Sequence, residues 1–220
     1  MTIWDNIYKD FQAGGEAWAT LSEDIDERFQ EFVKNNDFDL RSAFDIGCGT
    51  GKYLKFLKES GFAVAGIDSS PTAIEMTKKL VGSDADVKAV NMFEVEIPRG
   101  KYDLILSIST IHHGMKNEVK KLIKQIQTKL AVGGKIFITI PDYNKAIYWN
   151  TFKDHDELAP GTYAPKSGPE KGLAHSFFVK DEIEEMFADF TDIKMELDDI
   201  GRWFVTAGKQ KSILLTKQLK

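Results

Sequence analysis

The stretch Phe44-Asp45-Ile46-Gly47-Cys48-Gly49-Thr50-Gly51 sets three glycines between a strand-like run and a helical pattern. The run Ser42–Ile46 is rich in apolar residues, and the helical pattern begins at Tyr53 and stops at Gly61. In that context, glycines let the backbone turn tightly and approach a ligand without Cβ atoms in the way. The stretch therefore predicts a ligand-binding turn at the end of a first strand.

Strand-like runs alternate with helical patterns along the first 140 residues, which is typical of a parallel sheet flanked by helices. Ser70 and Pro71 predict one helix start, with a capping serine followed by proline in the first turn. The stripe of apolar residues from Val119 to Leu130 predicts another helix. The five strand-like runs are Ser42–Ile46, Ala63–Ile67, Val87–Val90, Tyr102–Ile108 and Lys135–Ile140.

The regular pattern breaks after the fifth strand. Residues 141–178 hold four of the six prolines and seven aromatic residues. Such a long connection in a compact domain favours a lid or a binding loop. An amphipathic helix with Ile183 and Phe187 follows, and then three strand-like runs compete for the two places of a closing hairpin: Ile193–Leu197, Trp203–Thr206 and Ser212–Thr216.

Composition bounds the class of protein. The 220 residues suit one domain, and 42% hydrophobic with 29% charged residues is the balance of a globular protein. A net charge of −5 gives no overall basic field, which disfavours a nucleic-acid partner. No apolar run is long enough to span a bilayer, the N-terminus lacks a secretory leader, and Cys48 is the single cysteine. We therefore expect a cytoplasmic protein with no membrane partner.

Two familiar nucleotide-binding motifs do not fit the glycine loop. In the dinucleotide motif G-x-G-x-x-G the third glycine falls one residue later than Gly51, at Lys52. A P-loop needs four residues between its glycines and a Ser or Thr after the lysine, whereas Tyr53 follows Lys52. Asp68 ends the next strand-like run about 20 residues on, where a carboxylate can accept hydrogen bonds from ribose hydroxyls.

The arrangement D-x-G-x-G-x-G at residues 45–51 resembles motif I of the class I S-adenosylmethionine-dependent methyltransferases. Residues 64–70 look like the second motif of that family, residues 101–107 the fourth, and residues 130–136 the loop before the fifth strand. The resemblance implies a Rossmann-like, doubly wound α/β fold. Its sheet would have seven mostly parallel strands, with an antiparallel last strand and helices on both faces.

On this resemblance we expect a single methyltransferase domain over residues 1–220. It would comprise an N-terminal helical cap (1–40), a cofactor-binding core (41–140), a lid or insertion (141–180), and a C-terminal helix with strands (181–220).

The resemblance also implies S-adenosylmethionine as cofactor and S-adenosylhomocysteine as product. Asp45 suits that cofactor, which carries a cationic amino group and a sulfonium and has no pyrophosphate. Asn91 departs from the acidic residue usual there, although its amide oxygen can accept from the adenine amine. The implied cofactor residues are Asp45, Gly47, Cys48, Gly49, Gly51, Asp68, Ser69, Asn91, Met92, Ser107 and Ile108.

The candidate catalytic residues are His112 and His113, after the fourth strand, and His175, before the last amphipathic helix. A histidine there could take a proton from the acceptor, or only shape its loop. We predict no metal site, because no His-x-x-x-His pair occurs and the single cysteine lies in the glycine loop. The aromatic residues that could wall a substrate pocket, or simply pack, are Trp4, Tyr8, Trp18 and Tyr143.

Three functions remain open from the sequence. The first is methyl transfer by in-line displacement to a small-molecule acceptor, which the aromatic insertion and the acidic net charge favour. The second is methylation of RNA, for example of a tRNA base, and the third is cofactor binding without transfer. The acceptor atom and the oligomeric state do not follow from the sequence.

Overall fold

The structure is a computed structural model that describes residues 2–15, 24–146, 149 and 152–210. The strands are β1 Ser42–Ile46, β2 Ala63–Asp68, β3 Asp86–Ala89, β4 Leu104–Ser107, β5 Lys135–Pro141, β6 His155–Ala159, β7 Thr162–Pro165, β8 His175–Ser176, β9 Thr191–Leu197 and β10 Arg202–Gly208. The helices are α1 Ile3–Gln12, α2 Glu27–Lys34, α3 Lys52–Glu59, α4 Pro71–Val81, α5 Lys116–Lys129, α6 Tyr143–Ala146 and α7 Lys180–Phe187.

Seven strands form the main sheet in the order β3-β2-β1-β4-β5-β10-β9. Strands β1 to β5 pair in parallel, and β10 lies antiparallel between β5 and β9. The predicted doubly wound sheet with a reversed last strand is therefore confirmed. The strand order reverses between β1 and β4, and ligands bind at such a switch point, outside the carboxyl ends of the strands.

Helices cover both faces of the sheet because its central strands are apolar on both sides. Phe44 and Ile105 pack in one buried cluster with α5 and α7, whereas their neighbours Ala43 and Leu104 pack on the opposite face. Successive side chains of a strand point to opposite faces, so near-continuous apolar runs such as β4 are what a doubly covered sheet requires.

The C-terminal hairpin uses two of the three competing runs. Strands β9 and β10 pair with each other, and β10 also pairs along its whole length with β5. The third run, Ser212–Thr216, lies outside the described residues. The predicted start of α4 is confirmed, since the Ser70 Oγ accepts a hydrogen bond from the Ala73 N–H at 3.1 Å.

The insertion after β5 has regular structure of its own. It contains α6 and a second, antiparallel sheet in the order β6-β7-β8, joined through the pairing of His155 with Pro165 and of Thr162 with Ser176. Phe152, Tyr163 and Phe177 pack in a buried cluster beside this sheet. The aromatic residues that marked the segment in the sequence thus give the insertion a small core.

Helix α1 is fastened to the start of α4. The buried Asp5 carboxylate accepts hydrogen bonds from the Ser70 Oγ at 3.0 Å and from the Thr72 N–H at 3.1 Å. Lys9 lies 2.9 Å from the same carboxylate, and this contact above all lowers the pKa of Asp5 despite its burial. Among the described residues, no helix has both the length and the apolar character needed to cross a lipid bilayer.

Candidate active site

A cavity of about 920 Å³ opens at the carboxyl ends of the central strands. Its walls come from the loops after β1, β2, β3, β4 and β5, from α1, and from the insertion. A volume of this size is within the range of small-molecule and cofactor sites. Residues after β1 to β3 form one side of the cavity, called here the cofactor half because the sequence predicts the cofactor there. Trp4, the residues after β4 and those of the insertion form the other side, called the acceptor half because the acceptor is expected there.

Gly47 lets the glycine loop pass close to the loop after β4. Its φ of +82° lies in the left-handed region, and a Cβ at this position would overlap the side chain of Thr110. The N–H groups of Gly47 and Cys48 both donate to the carbonyl of Ile67, at 2.8 and 2.9 Å. The tight turn is thereby tied to the end of β2, and it lines the cavity together with Asp68.

Asp68 lies on the cavity wall with both carboxylate oxygens already engaged. Its Oδ2 accepts from the Gly49 N–H at 3.0 Å, and its Oδ1 accepts from the Ser70 N–H at 2.9 Å. Burial raises the pKa of Asp68, and these backbone hydrogen bonds oppose the shift. Each oxygen keeps a second lone-pair site, so the carboxylate can still accept from ligand hydroxyl groups.

Asp45 lies behind the glycine loop and is not among the residues of the cavity wall. Burial, and secondarily the charge of Asp68, raises its pKa to about 8. Gly51, which precedes α3 with a φ of +88°, is also not among the residues of the wall. Ser107 is fully buried and its Oγ donates to the Ile46 carbonyl at 2.9 Å, so its side chain does not line the path that the sequence suggested.

The other expected cofactor residues do reach the cavity. The Oδ1 of Asn91 accepts a hydrogen bond from the Phe93 N–H at 3.0 Å, which fixes the side chain near the start of the loop after β3. Tyr8 reaches over the glycine loop from α1, because a Cβ on Gly49 would lie 2.7 Å from its hydroxyl oxygen. The expected cofactor residues on the wall are Gly47, Cys48, Gly49, Asp68, Ser69, Asn91, Met92 and Ile108.

Three histidines meet in the acceptor half. The ring centroids of His112 and His113 are 4.0 Å apart, and those of His113 and His175 are 4.6 Å apart. Burial lowers the pKa of His112 and of His113 well below the usual range, with the neighbouring imidazoles adding to the shift, so both rings are neutral. The fourth histidine, His155, lies apart in β6 and is hydrogen bonded through its Nδ1 to the Phe152 carbonyl at 2.7 Å.

Strand β8 holds the histidine loops together. The Ser176 N–H donates to the His112 carbonyl at 2.9 Å, and its Oγ donates to the Gly114 carbonyl at 2.7 Å. Because Ser176 follows His175 directly, these two bonds fix the separation between the loop after β4 and the insertion. This link brings together histidines that the sequence places far apart.

The aromatic wall differs in part from the one that the sequence suggested. Trp4 lines the cavity with its ring 4.9 Å from that of His113, and Tyr8 also lines it. Tyr143 does not: its hydroxyl lies 3.3 Å from that of Tyr163, in the packing of the insertion. Trp18 lies outside the described residues.

Several residues of the acceptor half escaped the sequence reasoning. Trp149 and Phe152 line the cavity, and the only signal for them in the sequence is the high aromatic content of residues 141–178. Glu170, Leu173 and Arg202 also line the cavity, and nothing in their local sequence marks them. They reach it only through the folding of the insertion and the C-terminal hairpin.

The fold and the cavity together define a class: Rossmann-like α/β proteins with a glycine loop after the first strand and a carboxylate at the end of the second. A family model described as a methyltransferase domain matches residues 17–190. Since this match covers most of the chain, the protein belongs to the class I S-adenosylmethionine-dependent methyltransferases.

Individual relatives are distant. Ajmaline N-methyltransferase of Rauvolfia serpentina is 28% identical over 155 residues, which are 62% of this chain and 53% of that protein. Probable tRNA methyltransferase 9B of Mus musculus is 32% identical over 97 residues, 44% of this chain and 21% of that protein. The chain therefore spans about half, or less, of these two relatives.

A solved structure shows the same fold. The 1,6-didemethyltoxoflavin-N1-methyltransferase of Burkholderia thailandensis, crystallised with 1,6-didemethyltoxoflavin and S-adenosylhomocysteine, superposes with a TM-score of 0.64 at 15% identity. The match covers 95% of this chain and 88% of that one. At this identity the likeness concerns the fold alone.

Proposed function

We propose that this protein transfers a methyl group from S-adenosylmethionine to a small organic acceptor. The observation that carries the proposal is the two-sided cavity. One side presents the glycine loop and the Asp68 carboxylate, and the other presents aromatic rings and neutral imidazoles. Both sides open into one space of about 920 Å³, as a reaction between two bound molecules requires.

The residues of the cofactor half fit S-adenosylmethionine by their chemistry. The free lone pairs of Asp68 suit the two ribose hydroxyls, and Asn91 with Met92 offers a polar and an apolar contact to an adenine ring. The turn at Gly47 and Gly49 leaves backbone rather than side chains against the methionine portion. When bound, the cofactor supplies a methyl group on a sulfonium, an electrophile that needs only an aligned nucleophile.

The chain's own part in the reaction is to orient the acceptor and to exclude water. Trp4 from α1 and Phe152 from the insertion both flank the histidine cluster, with ring centroids 4.9 Å from His113 and from His175 respectively. In this proposal residues 2–12 and 141–180 act as a cap and a lid. A closed, largely apolar site holds a flat organic acceptor and strengthens the few polar contacts that orient it.

A small acceptor is favoured over RNA. The cavity is covered by side chains from α1 and the insertion, and the chain carries a net charge of −5. The match to the tRNA methyltransferase relative spans only 97 residues. The ajmaline and didemethyltoxoflavin enzymes bear names of small organic acceptors, which supports the same class of acceptor here.

The experiment is incubation with S-adenosylmethionine labelled in its methyl group, using a metabolite extract or total RNA as the acceptor. We expect label in the small-molecule fraction, and no label with Asp68→Ala. Label in RNA alone would overturn the small-molecule proposal. Calorimetric binding of S-adenosylhomocysteine without label in either fraction would identify a cofactor-binding protein that does not transfer the methyl group.

A further inference from the structure

The histidine cluster has unsatisfied ring nitrogens. The Nδ1 atoms of His112 and His113 are buried without a hydrogen-bond partner among the residues that the structure describes. A buried polar atom without a hydrogen-bond partner destabilises the folded protein, so such an atom calls for an explanation. One ligand atom from each of His112, His113 and His175 lies within 4.8 Å of the others.

His175 is held in one tautomer. Its Nδ1 lies 2.8 Å from the Leu173 carbonyl oxygen, which can only accept, so this nitrogen carries a proton. The Nε2 atom lies 3.3 Å from the Oε2 of Glu170. A cation bound to this nitrogen would therefore have a carboxylate oxygen beside it.

We propose that His112, His113 and His175 bind a divalent transition-metal ion, with the Glu170 carboxylate beside it as a hydrogen-bond partner of the ligand shell. The proposal reverses the expectation of no metal site. A His-x-x-x-His pair would place both ligands on one helix face. These ligands instead come from the loop after β4 and from β8, which the hydrogen bonds of Ser176 hold together. It goes beyond the proposed function, because metal binding can be measured without any methyl transfer.

The donor set points to zinc or a similar ion. Imidazole nitrogens suit zinc, copper, iron and nickel, and three histidines leave a coordination position open. Zinc-bound nitrogens lie 2.0–2.1 Å from the metal, so two of them are about 3.4 Å apart in a tetrahedral site. The histidine ligand atoms, which lie within 4.8 Å of one another, would have to draw closer when the ion binds. The bond from His175 Nδ1 to a backbone carbonyl is the usual outer contact of a histidine that ligates through Nε2.

The open position faces the cavity, since all three histidines and Glu170 line it. Trp4 and Phe152 flank the same place. The ion would therefore bind an oxygen, nitrogen or sulfur atom of a molecule in the acceptor half.

The test is a cobalt titration of the untagged full-length protein after treatment with a chelator. Cobalt gives visible absorption bands whose intensity reports coordination number. We expect saturation at one equivalent, intense bands of a four- or five-coordinate ion, and displacement by zinc. Glu170→Gln should weaken cobalt binding by roughly 10- to 100-fold, the usual effect of losing an outer partner, and His175→Ala by more.

The matched control is His155→Ala, which removes the histidine outside the cluster. We expect it to bind cobalt as the unchanged protein does. Binding of S-adenosylhomocysteine to each variant, followed by calorimetry, checks that the variants are folded and keeps this test separate from that of the proposed function. Absence of a one-equivalent site, or an equal loss in His155→Ala and His175→Ala, would overturn the proposal.

Discussion

The two halves of the cavity are built in different ways. The cofactor half takes its glycine loop and its carboxylate from one β-α-β unit, with Gly47 and Asp68 only 21 positions apart in the numbering. The acceptor half collects Trp4, His113, Phe152 and His175 from four separate segments. Residue spacing can predict which residues meet in the cofactor half, because they belong to one local unit. In the acceptor half the residues come from distant segments, so the tertiary fold decides which of them meet.

Asp68→Ala should have the largest effect, because it removes a local anchor of the cofactor half. The change removes the carboxylate oxygens that accept from the Gly49 and Ser70 N–H groups. It also removes the lone pairs that would accept from the ribose hydroxyls. Two lost hydrogen bonds to a charged group correspond to about 4 kcal/mol, or roughly a 1000-fold weaker affinity. Calorimetry with S-adenosylhomocysteine measures this, and an affinity equal to that of the unchanged protein would contradict the site.

Gly47→Ala tests the point where the two halves touch. The new Cβ would overlap Thr110 and the residue would keep a φ of +82°, so we expect the free energy of unfolding to fall by about 3 kcal/mol. Gly168→Ala is the matched control, with a φ of +80° and no atom within 4 Å of its Cβ position. Denaturant unfolding of both variants separates the effect of the overlap with Thr110 from that of the backbone conformation. Equal losses of unfolding free energy in the two variants would show that the overlap is unimportant.

Asp45→Asn should stabilise the protein without ligand in a pH-dependent way. The pKa of Asp45 is raised from 3.8 to about 8 in the folded state, so its contribution to stability is lost as the pH rises through that interval. The neutral amide avoids this loss. Near pH 4 we expect little difference in unfolding free energy between the variant and the unchanged protein. At pH 8 the variant should be more stable by about 2 kcal/mol, a moderate gain because water entry relieves part of the penalty for burying the charged carboxylate. Thermal unfolding across this range measures the gain, and a constant difference would refute the assignment.

His113→Ala tests the acceptor half by itself. Its ring lies against Trp4 and His175, and away from the Asp68 contacts, so cofactor affinity should stay unchanged. We expect turnover to fall about 10-fold, equivalent to about 1.4 kcal/mol. Steady-state kinetics with the identified acceptor, together with calorimetry, separate the two quantities. If turnover and cofactor affinity fell together, His113 would also contribute to cofactor binding, and the two halves would not act independently.

Tyr143→Phe should have the smallest effect. The hydroxyl group contacts Tyr163 in the insertion and lies off the cavity wall. We expect a loss of about 0.5 kcal/mol in unfolding free energy and an unchanged kcat/KM. A marked fall in kcat/KM would place this residue in the acceptor half after all.

The main sheet is confirmed as predicted, and the glycine loop and Asp68 lie on the same cavity wall as the sequence suggested, for a physical reason. The glycine loop, the capping Ser70 and the apolar run of β4 each act through neighbours in the chain, so their spacing carries the information. The Ser107 side chain faces the Ile46 carbonyl and not the cavity, because the twist and pairing of the sheet decide which way a strand residue's side chain points.

The acceptor half could be predicted only in part. The sequence placed His112, His113 and His175 in loops at strand ends, but it could not show that Ser176 joins these loops. Glu170 and Arg202 reach the cavity through elements whose positions depend on long-range pairing. Tyr143 and Phe152 belong to the same aromatic-rich segment, and only the fold decides which of them points inward.

One short helix covers both halves. Tyr8 lies over the glycine loop, and Trp4 packs against His113. Asp5, between them in the chain, accepts hydrogen bonds from the start of α4. If the Asp5 carboxylate lost its hydrogen bonds to Ser70 and Thr72, Trp4 and Tyr8 would move away from the cavity together. Both halves of the cavity would then open to solvent at the same time.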